Sequence, residues 1–183
     1  MHGIQSWVAL PAEVEESEPA FAHHARADLP EQREGGVWRR LIAGTAFGET
    51  ARVKTHSPMF YLHCELQPGA SMSLPAAYPE RAAYVVSGTV KADGQAFGPG
   101  HMLVFAKGAA AKLEATVPAR VMMLGGEPLG PRFIEWNFVH SYKARIEQAK
   151  ADWRAGRMKL PDLDDKEFVP LPPDPPPPAN PMS

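Results

Sequence analysis

Residues Gly69–Gly88 read GASMSLPAAYPERAAYVVSG, and this stretch decides how the chain folds. A glycine stands at each end, where the backbone can bend, and Ala82–Ala92 has the composition of a strand that bends at Gly88. Many short strands with Gly and Pro turns predict an antiparallel sandwich or barrel, not alternating strands and helices. The other predicted strands are Ile4–Leu10, Gly36–Gly44, Ser57–Pro68, His101–Phe105, Ala111–Ala115 and Ala119–Leu124.

The segment Ser57–Pro68 has the clearest strand pattern in the chain. Apolar and polar residues alternate along it, which is typical of a strand with one buried face and one half-exposed face. Cys64 lies on the apolar face and is interpreted as a structural thiol, since no cationic neighbour on that face would activate it. The residues predicted on the buried face are Phe60, Leu62, Cys64 and Leu66.

One helix is predicted over Tyr142–Ala155, with Ser141 as its N-cap and Gly156 as its stop. Its apolar stripe is narrow, and we expect its Ile146 and Trp153 side to pack on the barrel. The members of the stripe are Tyr142, Ile146, Ala149 and Trp153. The predicted organisation is a leading strand at 1–11, a surface connection at 12–35, the barrel at 36–139, the C-terminal helix at 140–157 and an extended, disordered Pro-rich tail at 158–183.

The composition argues against several classes of protein. The 183 residues suffice for about one domain, and 44% of them are hydrophobic, which predicts a globular core. The net charge is −2 without a Lys/Arg run, so no direct nucleic-acid partner is expected. The apolar stretches are strand-sized, so no membrane span is expected. A single cysteine and no signal-peptide pattern over residues 1–10 favour a cytoplasmic protein.

The glycine frame of the opening stretch resembles the first metal-binding motif of the cupins, G-x5-H-x-H-x3–4-E-x6-G. In cupins this motif delivers two imidazoles and a carboxylate into a small barrel. Here the two His positions fall on Pro75 and Ala77, the Glu position falls on Arg81, and the ligand of the second cupin motif falls on Ala111. Pro and Ala carry no side-chain lone pair, and Arg repels a divalent ion. A barrel without a metal ligand set is therefore expected.

Further segments resemble the pirin family. HGIQSWVALPAE (His2–Glu13) is similar to the junction where the first barrel of a pirin ends. GEPLGPRFIEWNFVHSYKARIEQAKADWRAG (Gly126–Gly156) is similar to the closing strand and helix of the pirin C-terminal domain. The resemblance spans nearly everything from His2 to Pro172. Three more segments fit the same pattern: IAGTAFG (Ile42–Gly48), SPMFYLHCELQPGA (Ser57–Ala70) and DDKEFVPLP (Asp164–Pro172).

The resemblance implies an all-β protein with one cupin-type antiparallel β-barrel (a double-stranded β-helix or jelly roll), a C-terminal α-helix and the Pro-rich tail. Pirins are bicupins whose metal, usually iron, is held by His and Glu residues of the N-terminal barrel. The family is associated with quercetin 2,3-dioxygenase-like activity and with regulation through protein partners. The chain is expected to begin where the second barrel begins, so no cofactor and no catalytic residue are expected in it.

Two functions from different classes follow from this resemblance. The first is a non-metal cupin half that acts as a structural or protein-interaction module, as a homo-oligomer or beside an N-terminal-type cupin chain. The second is half of a split, iron-dependent, quercetin 2,3-dioxygenase-like enzyme whose metal barrel is supplied by that separate chain. Trp7 and Trp136 lie in the family-like segments near the junction of the two barrels, and we predict them at an interface.

Few other residues offer chemistry. Glu80 and Arg81 stand at the mouth of the former metal site and are interpreted as a solvated rim pair. The alternative is that Arg81 points inward and binds an anionic small molecule in the pocket. A makeshift metal site would need His56, His63 and His101 on neighbouring strands, although the alternation of its strand directs His63 away from the interior.

Overall fold

In the computed structural model, which describes residues 3–160 and 165–173, short strands from Glu31 to Gly126 build two antiparallel sheets. The strands are β1 (Glu31–Glu34), β2 (Val37–Ala46), β3 (Glu49–Thr50), β4 (Met59–Leu66), β5 (Ser71–Ser73), β6 (Glu80–Ser87), β7 (Val90–Ala92), β8 (Gln95–Phe97), β9 (Met102–Phe105), β10 (Lys112–Ala115) and β11 (Ala119–Gly126). The larger sheet has the order β1-β2-β4-β11-β6-β9, with β3 paired to β2, and the smaller sheet has the order β5-β10-β7-β8.

These strands belong to the compact unit Glu16–Leu129, which we call the jelly roll. Its two sheets share one core but remain separate, so the unit is a jelly-roll sandwich and not one closed barrel. The alternation predicted in β4 is confirmed, because its apolar residues are almost fully buried. Each large aliphatic side chain buried in this way contributes roughly 1.5–3 kcal/mol. The fully buried members of the core include Phe60, Leu62, Cys64, Leu66, Val85, Val90, Leu113, Val121 and Met123.

Strands β2 and β4 approach each other closely at Gly44. The backbone of Gly44 has a φ of 76°, which few residues other than glycine adopt. A Cβ at this position would lie 1.8 Å from the carbonyl oxygen of Met59. Both the conformation and the contact therefore require glycine here.

Strand β1 lies inside residues 12–35, where only a surface connection was predicted. Its sequence EQRE has no apolar alternation, and three of its four residues are exposed. The strand is held at the sheet edge by polar contacts with β2: the Trp38 indole N–H donates to Glu31 Oε2 at 3.0 Å, and Arg39 Nε donates to Gln32 Oε1 at 2.8 Å. Charged edge strands of this kind escape a pattern search based on hydrophobicity.

The predicted strand Ile4–Leu10 is wrong, since residues 3–11 have no strand structure. Ile4, Trp7 and Val8 are about half exposed. An apolar run forms a strand when a neighbouring strand takes up its backbone hydrogen bonds, and the ladders of the described residues include no partner for this run.

The other compact unit combines Met1–Glu15 with Gly130–Ser183, and we call it the hairpin–helix unit. It contains the hairpin of β12 (Phe133–Glu135) and β13 (Phe138–His140) and the helix α1 (Lys143–Arg154). The predicted barrel boundary at 139 is therefore too late, because the hairpin pairs with itself and belongs to this unit. The helix packs on β12 and β13, where we had expected it to pack on the barrel.

The buried face of α1 differs in part from the predicted stripe. Ile146 and Ala149 are buried as predicted, but Tyr142 is 69% exposed. Lys150, which the pattern would place on the polar side, is buried and forms ion pairs with Glu135 and Glu147. A lysine next to two carboxylates can be buried at a tolerable free-energy cost, and apolar periodicity does not reveal such a pair.

Ser141 does not cap the helix, contrary to the prediction. The N-cap residue is Tyr142, without a side-chain capping bond. The Ser141 hydroxyl instead donates to Glu15 Oε2 at 2.6 Å, and the Ser141 N–H donates to Glu15 Oε1 at 3.0 Å. Ser141 therefore bonds to a buried carboxylate from a distant part of the chain and makes no capping hydrogen bond to the helix.

Residues 165–173 form no helix or strand, and part of this segment, which was predicted to be disordered, is docked on α1. The Trp153 indole N–H donates to the carbonyl of Val169 at 3.0 Å, and the Trp153 and Phe168 rings lie 5.8 Å apart. Most of the predicted Pro-rich tail lies outside the described residues. Among the described residues, no helix has the length and apolar character needed to cross a membrane.

Candidate functional site

The degenerate metal motif surrounds an open pocket of about 740 Å³ at one end of the jelly roll. The loop from β5 to β6 and the loop from β9 to β10 form most of its wall. Three of the four predicted motif positions, Ala77, Arg81 and Ala111, line the pocket. The fourth, Pro75, lies between the lining residues Leu74 and Ala76. The structure thus brings the four positions to one place, as the cupin spacing implied.

Arg81 is the chemically distinctive residue of the pocket. Along β6 it shares the inward face with Ala83 and Val85, and it is only 6% exposed. Its Nη2 donates to the carbonyl oxygen of Ala109 at 2.7 Å. Its Nε is buried without a hydrogen-bond partner, and within the described residues no carboxylate forms an ion pair with the guanidinium. A positive charge is therefore held inside the pocket without a counter-charge.

The rim pair predicted for Glu80 and Arg81 is wrong. Adjacent residues of a strand point to opposite faces, so Glu80 is exposed while Arg81 is buried. Of the two residues predicted for the pocket, Arg81 lines it and Glu80 does not. The sequence alone did not show which face of its strand Arg81 lies on, because both faces of the run AAYVV that follows it are apolar.

Three further side chains shape the pocket. Lys107 and Glu127 line it from exposed positions. Tyr78 lies deeper, where its ring is 5.2 Å from that of Phe60 and its hydroxyl donates to the carbonyl of Thr45 at 2.7 Å. Burial raises the pKa of Tyr78, and the negative charge of Glu127 raises it further, so the phenol stays protonated at neutral pH.

The histidines do not assemble into the makeshift site considered above. His63 points to the outer face of the larger sheet, where its ring meets the edge of Trp38 at 5.1 Å. Burial lowers the pKa of His63, although Glu65 acts in the opposite direction. Strands β11 and β6 separate its strand from β9, which His101 precedes. Within the described residues, no group of three or more His, Cys, Asp or Glu side chains is placed to hold a metal ion.

Cys64 is a packed thiol. Its Sγ lies 3.9 Å from Met123 Sδ, and burial raises the pKa of the thiol to about 12. The thiolate, which is the reactive form of cysteine, is therefore scarce at neutral pH.

The hairpin–helix unit contains a buried polar cluster that sequence reasoning missed. The carboxylate of Glu15 accepts both hydrogen bonds from Ser141 and lies 2.7 Å from Arg132 Nε and 3.6 Å from His140 Nε2. Arg132 Nη2 also donates to the carbonyl of Leu10 at 2.9 Å. These contacts fasten the start of the chain to the hairpin. No local pattern could have revealed a pairing between residues 126 positions apart.

The two tryptophans predicted at an interface have different surroundings. Trp7 is 54% exposed. Trp136 packs in an aromatic cluster, with its ring 5.4 Å from Phe138 and 5.6 Å from Trp153. This packing gives Trp136 a structural role, and the participation of either tryptophan in an interface stays a prediction.

A family model described as the pirin C-terminal cupin domain matches residues 61–159. The chain belongs to the pirin family. A pirin-like protein from Caulobacter vibrioides is 58% identical over 173 residues, which make up 94% of this chain and 60% of the relative. Pirin from Homo sapiens is 31% identical over 161 residues, which make up 84% of this chain and 56% of the relative.

Two solved structures of quercetin 2,3-dioxygenase from Acinetobacter baumannii share the cupin fold of this pirin. Their TM-scores are 0.76 and 0.74, at sequence identities of 23% and 24%. The matches cover 92% and 82% of this chain but 58% and 55% of those chains. The chain thus spans no more than 60% of the length of these relatives.

The iron associated with pirins does not fit the pocket of this chain. The guanidinium of Arg81 lies where the cupin motif has its carboxylate ligand, and Nη2 is already engaged by Ala109. The other motif positions carry proline or alanine. Arg81 repels a divalent cation, and the side chains at the other three motif positions offer it no lone pair.

Proposed function

We propose that this chain is the non-metal cupin part of a pirin and acts as a structural and protein-interaction module. The observation that carries the proposal is an exposed apolar edge on the outer face of the larger sheet, at β9. Met102 and Val104 of β9 are 53% and 78% exposed on it. By strand register, Met102 lies beside Tyr84, and Tyr84 lies beside Met122. Tyr84 is half-buried and Met122 is buried, so the exposed apolar patch is confined to the β9 edge of the sheet, and exposed patches of this kind mark interaction surfaces.

The partner that fits this face is another cupin-type barrel, and for the isolated chain it is a second copy. A row of apolar residues on a sheet face packs best against a surface of similar width and polarity. In a complete pirin the partner would be a metal-bearing barrel, consistent with relatives that are longer than this chain.

The experiment is light scattering of the chain and of its Val104→Glu variant. The unaltered chain should have the mass of a dimer, and the buried glutamate should convert it to a monomer with an unchanged circular dichroism spectrum. Val117→Glu is the control, since Val117 is 44% exposed in the turn between β10 and β11. A monomeric unaltered chain, or a Val104→Glu variant that remains a dimer, would contradict this use of the face.

The alternative is that this chain forms half of a split quercetin 2,3-dioxygenase-like enzyme. It is favoured by the names of the two Acinetobacter baumannii structures, which share the fold and of which the matched parts make up 55% and 58%. In this case a separate cupin chain with intact His and Glu ligands supplies the iron. Mixing the two chains and following quercetin-dependent oxygen uptake tests it: uptake by the pair but by neither chain alone would establish the split enzyme.

A further inference from the structure

The buried charge of Arg81 is a feature that the interaction role does not explain. A buried guanidinium normally has a carboxylate partner, because desolvation of an unpaired charge is unfavourable. Here the nearest compensation is the carbonyl of Ala109, which accepts one hydrogen bond and carries no net charge. The other N–H groups of the guanidinium are not bonded to any described residue. The pocket therefore contains a positive charge that no carboxylate of the described residues balances.

The remaining lining limits the kind of anion that fits. Lys107 and Glu127 contribute opposite charges from exposed positions, so they nearly cancel at the pocket entrance. The side chains beside Arg81 are small and apolar. Two of the lining residues, Ser73 and Tyr78, carry a hydroxyl group. A volume of about 740 Å³ is in the range of small-molecule sites. The apolar wall residues include Leu74, Ala76, Ala77, Pro79, Ala109 and Ala111.

We infer that this pocket binds a small organic acid through a single carboxylate, with Arg81 as the charged hydrogen-bond donor. A guanidinium matches a carboxylate in charge and in planar geometry. The alanine-rich walls contact the hydrocarbon body of the acid. A phosphate dianion fits less well, because Arg81 balances one of its two charges and the described lining residues include no second buried cation.

The inference goes beyond the interaction role and does not depend on it. Every residue in the argument belongs to the jelly roll, so the site is complete without a second barrel. It also assigns a function to this pocket, whose motif positions no longer carry metal ligands. The position of the cupin carboxylate ligand has become the position of a carboxylate receptor.

The test is titration of the full chain with benzoate by isothermal calorimetry, with benzamide as the uncharged analogue. Benzoate should bind saturably, and benzamide should bind at least about tenfold more weakly, because it cannot form the charge-assisted bond. Arg81→Met should weaken benzoate by about tenfold or more. Arg120→Met is the matched control: this arginine pairs with Glu65 on the outer face, and its loss should leave benzoate affinity unchanged.

Several results would overturn the inference. These are an absence of saturable benzoate binding, equal binding of benzamide, equal binding by Arg81→Met, or tighter binding of inorganic phosphate than of benzoate. If Arg81→Met does not fold, the Glu127→Gln variant tests the proposed site instead. Glu127 is exposed, so this substitution should not disturb the fold. Loss of this negative charge should tighten benzoate binding by about threefold. Unchanged or weaker binding by this variant would also refute the proposed site.

Discussion

At Arg81 a single side chain sets the electrostatic character of the pocket. The same strand position that holds a carboxylate ligand in the cupin motif here holds a guanidinium with 6% exposure. Because the charge has a carbonyl and no carboxylate as its protein partner, it is retained at a cost in folding free energy.

Replacement of Arg81 by methionine should therefore stabilise the ligand-free chain. Methionine fills a similar volume without a buried charge, and we expect the free energy of unfolding to rise by about 1 kcal/mol. Urea denaturation of both proteins without added organic acid measures the change. Arg120→Met should shift stability by less than about 1 kcal/mol, as is usual for exposed ion pairs. A marked loss of stability in Arg81→Met would mean that the Ala109 bond makes Arg81 structural.

Glu15 is the residue that should control stability in acid. Burial by itself raises the pKa of Glu15, but two hydrogen bonds from Ser141 and the charges of His140 and Arg132 outweigh it, so the pKa lies below its usual value of 4.5. In the unfolded chain the carboxyl regains its ordinary pKa and binds a proton more readily. Its stabilising contribution is therefore complete above about pH 4.5 and is lost as the pH falls through the folded-state pKa.

A Glu15→Gln variant should lose that part of the acid dependence. The free energy of unfolding, measured by urea denaturation at a series of pH values, should fall less steeply below about pH 4.5 than for the unaltered chain. At neutral pH the variant should be less stable by about 3 kcal/mol, because Arg132 loses a buried partner. Glu13→Gln is the control, since Glu13 is exposed. Identical acid dependence in all three proteins would show that Glu15 does not carry the effect.

At the scale of single elements, the predictable strands were those with two unlike faces. In β4 the buried and half-exposed residues alternate, so sequence alone identified both the strand and its inward face. In β6 both faces are apolar, and the inward position of Arg81 could not be deduced. Strand β1 is charged and lies at a sheet edge, so its pairing with β2 leaves no apolar signal.

The helix α1 was predictable as an element but not in its surroundings. Apolar spacing identified Ile146 and Ala149 as buried, whereas the packing against β12 and β13 depends on how distant segments meet. The bond between Ser141 and Glu15 replaced a helix cap for the same reason. Rules based on local sequence do not predict contacts between distant segments, and the ion pair of buried Lys150 with Glu135 is another contact of this kind.

Ile146 should anchor the helix to the hairpin. It is 2% exposed, so Ile146→Ala removes buried methyl groups and leaves a cavity, with an expected loss of about 2–4 kcal/mol in the free energy of unfolding. Thermal denaturation followed by the near-ultraviolet signal of the Trp136 and Trp153 cluster reports on this unit. Lys143→Ala, at an exposed position of the same helix, should change stability by less than about 0.5 kcal/mol. Equal effects of the two substitutions would mean that α1 is not held through Ile146.

At the scale of the whole molecule, the family and the cupin-type fold were predictable because they rest on long motifs. Three of the four motif positions without metal ligands, Ala77, Arg81 and Ala111, also line one pocket. The chain covers 60% of a pirin-like relative and 56% of human pirin, so the activity of a complete pirin is a property to be tested with a second barrel present. The chain itself offers an exposed apolar sheet edge and a pocket with a buried positive charge.

The most direct test of this account is elemental analysis of the untagged chain as it elutes from a sizing column coupled to light scattering. A non-metal cupin module predicts a dimer with far less than one equivalent of iron, nickel or zinc, because Arg81 opposes a cation at the motif and the side chains at the other motif positions offer no ligand. A peak with close to one equivalent of a tightly held metal would contradict the account and would place the functional centre on a different set of side chains.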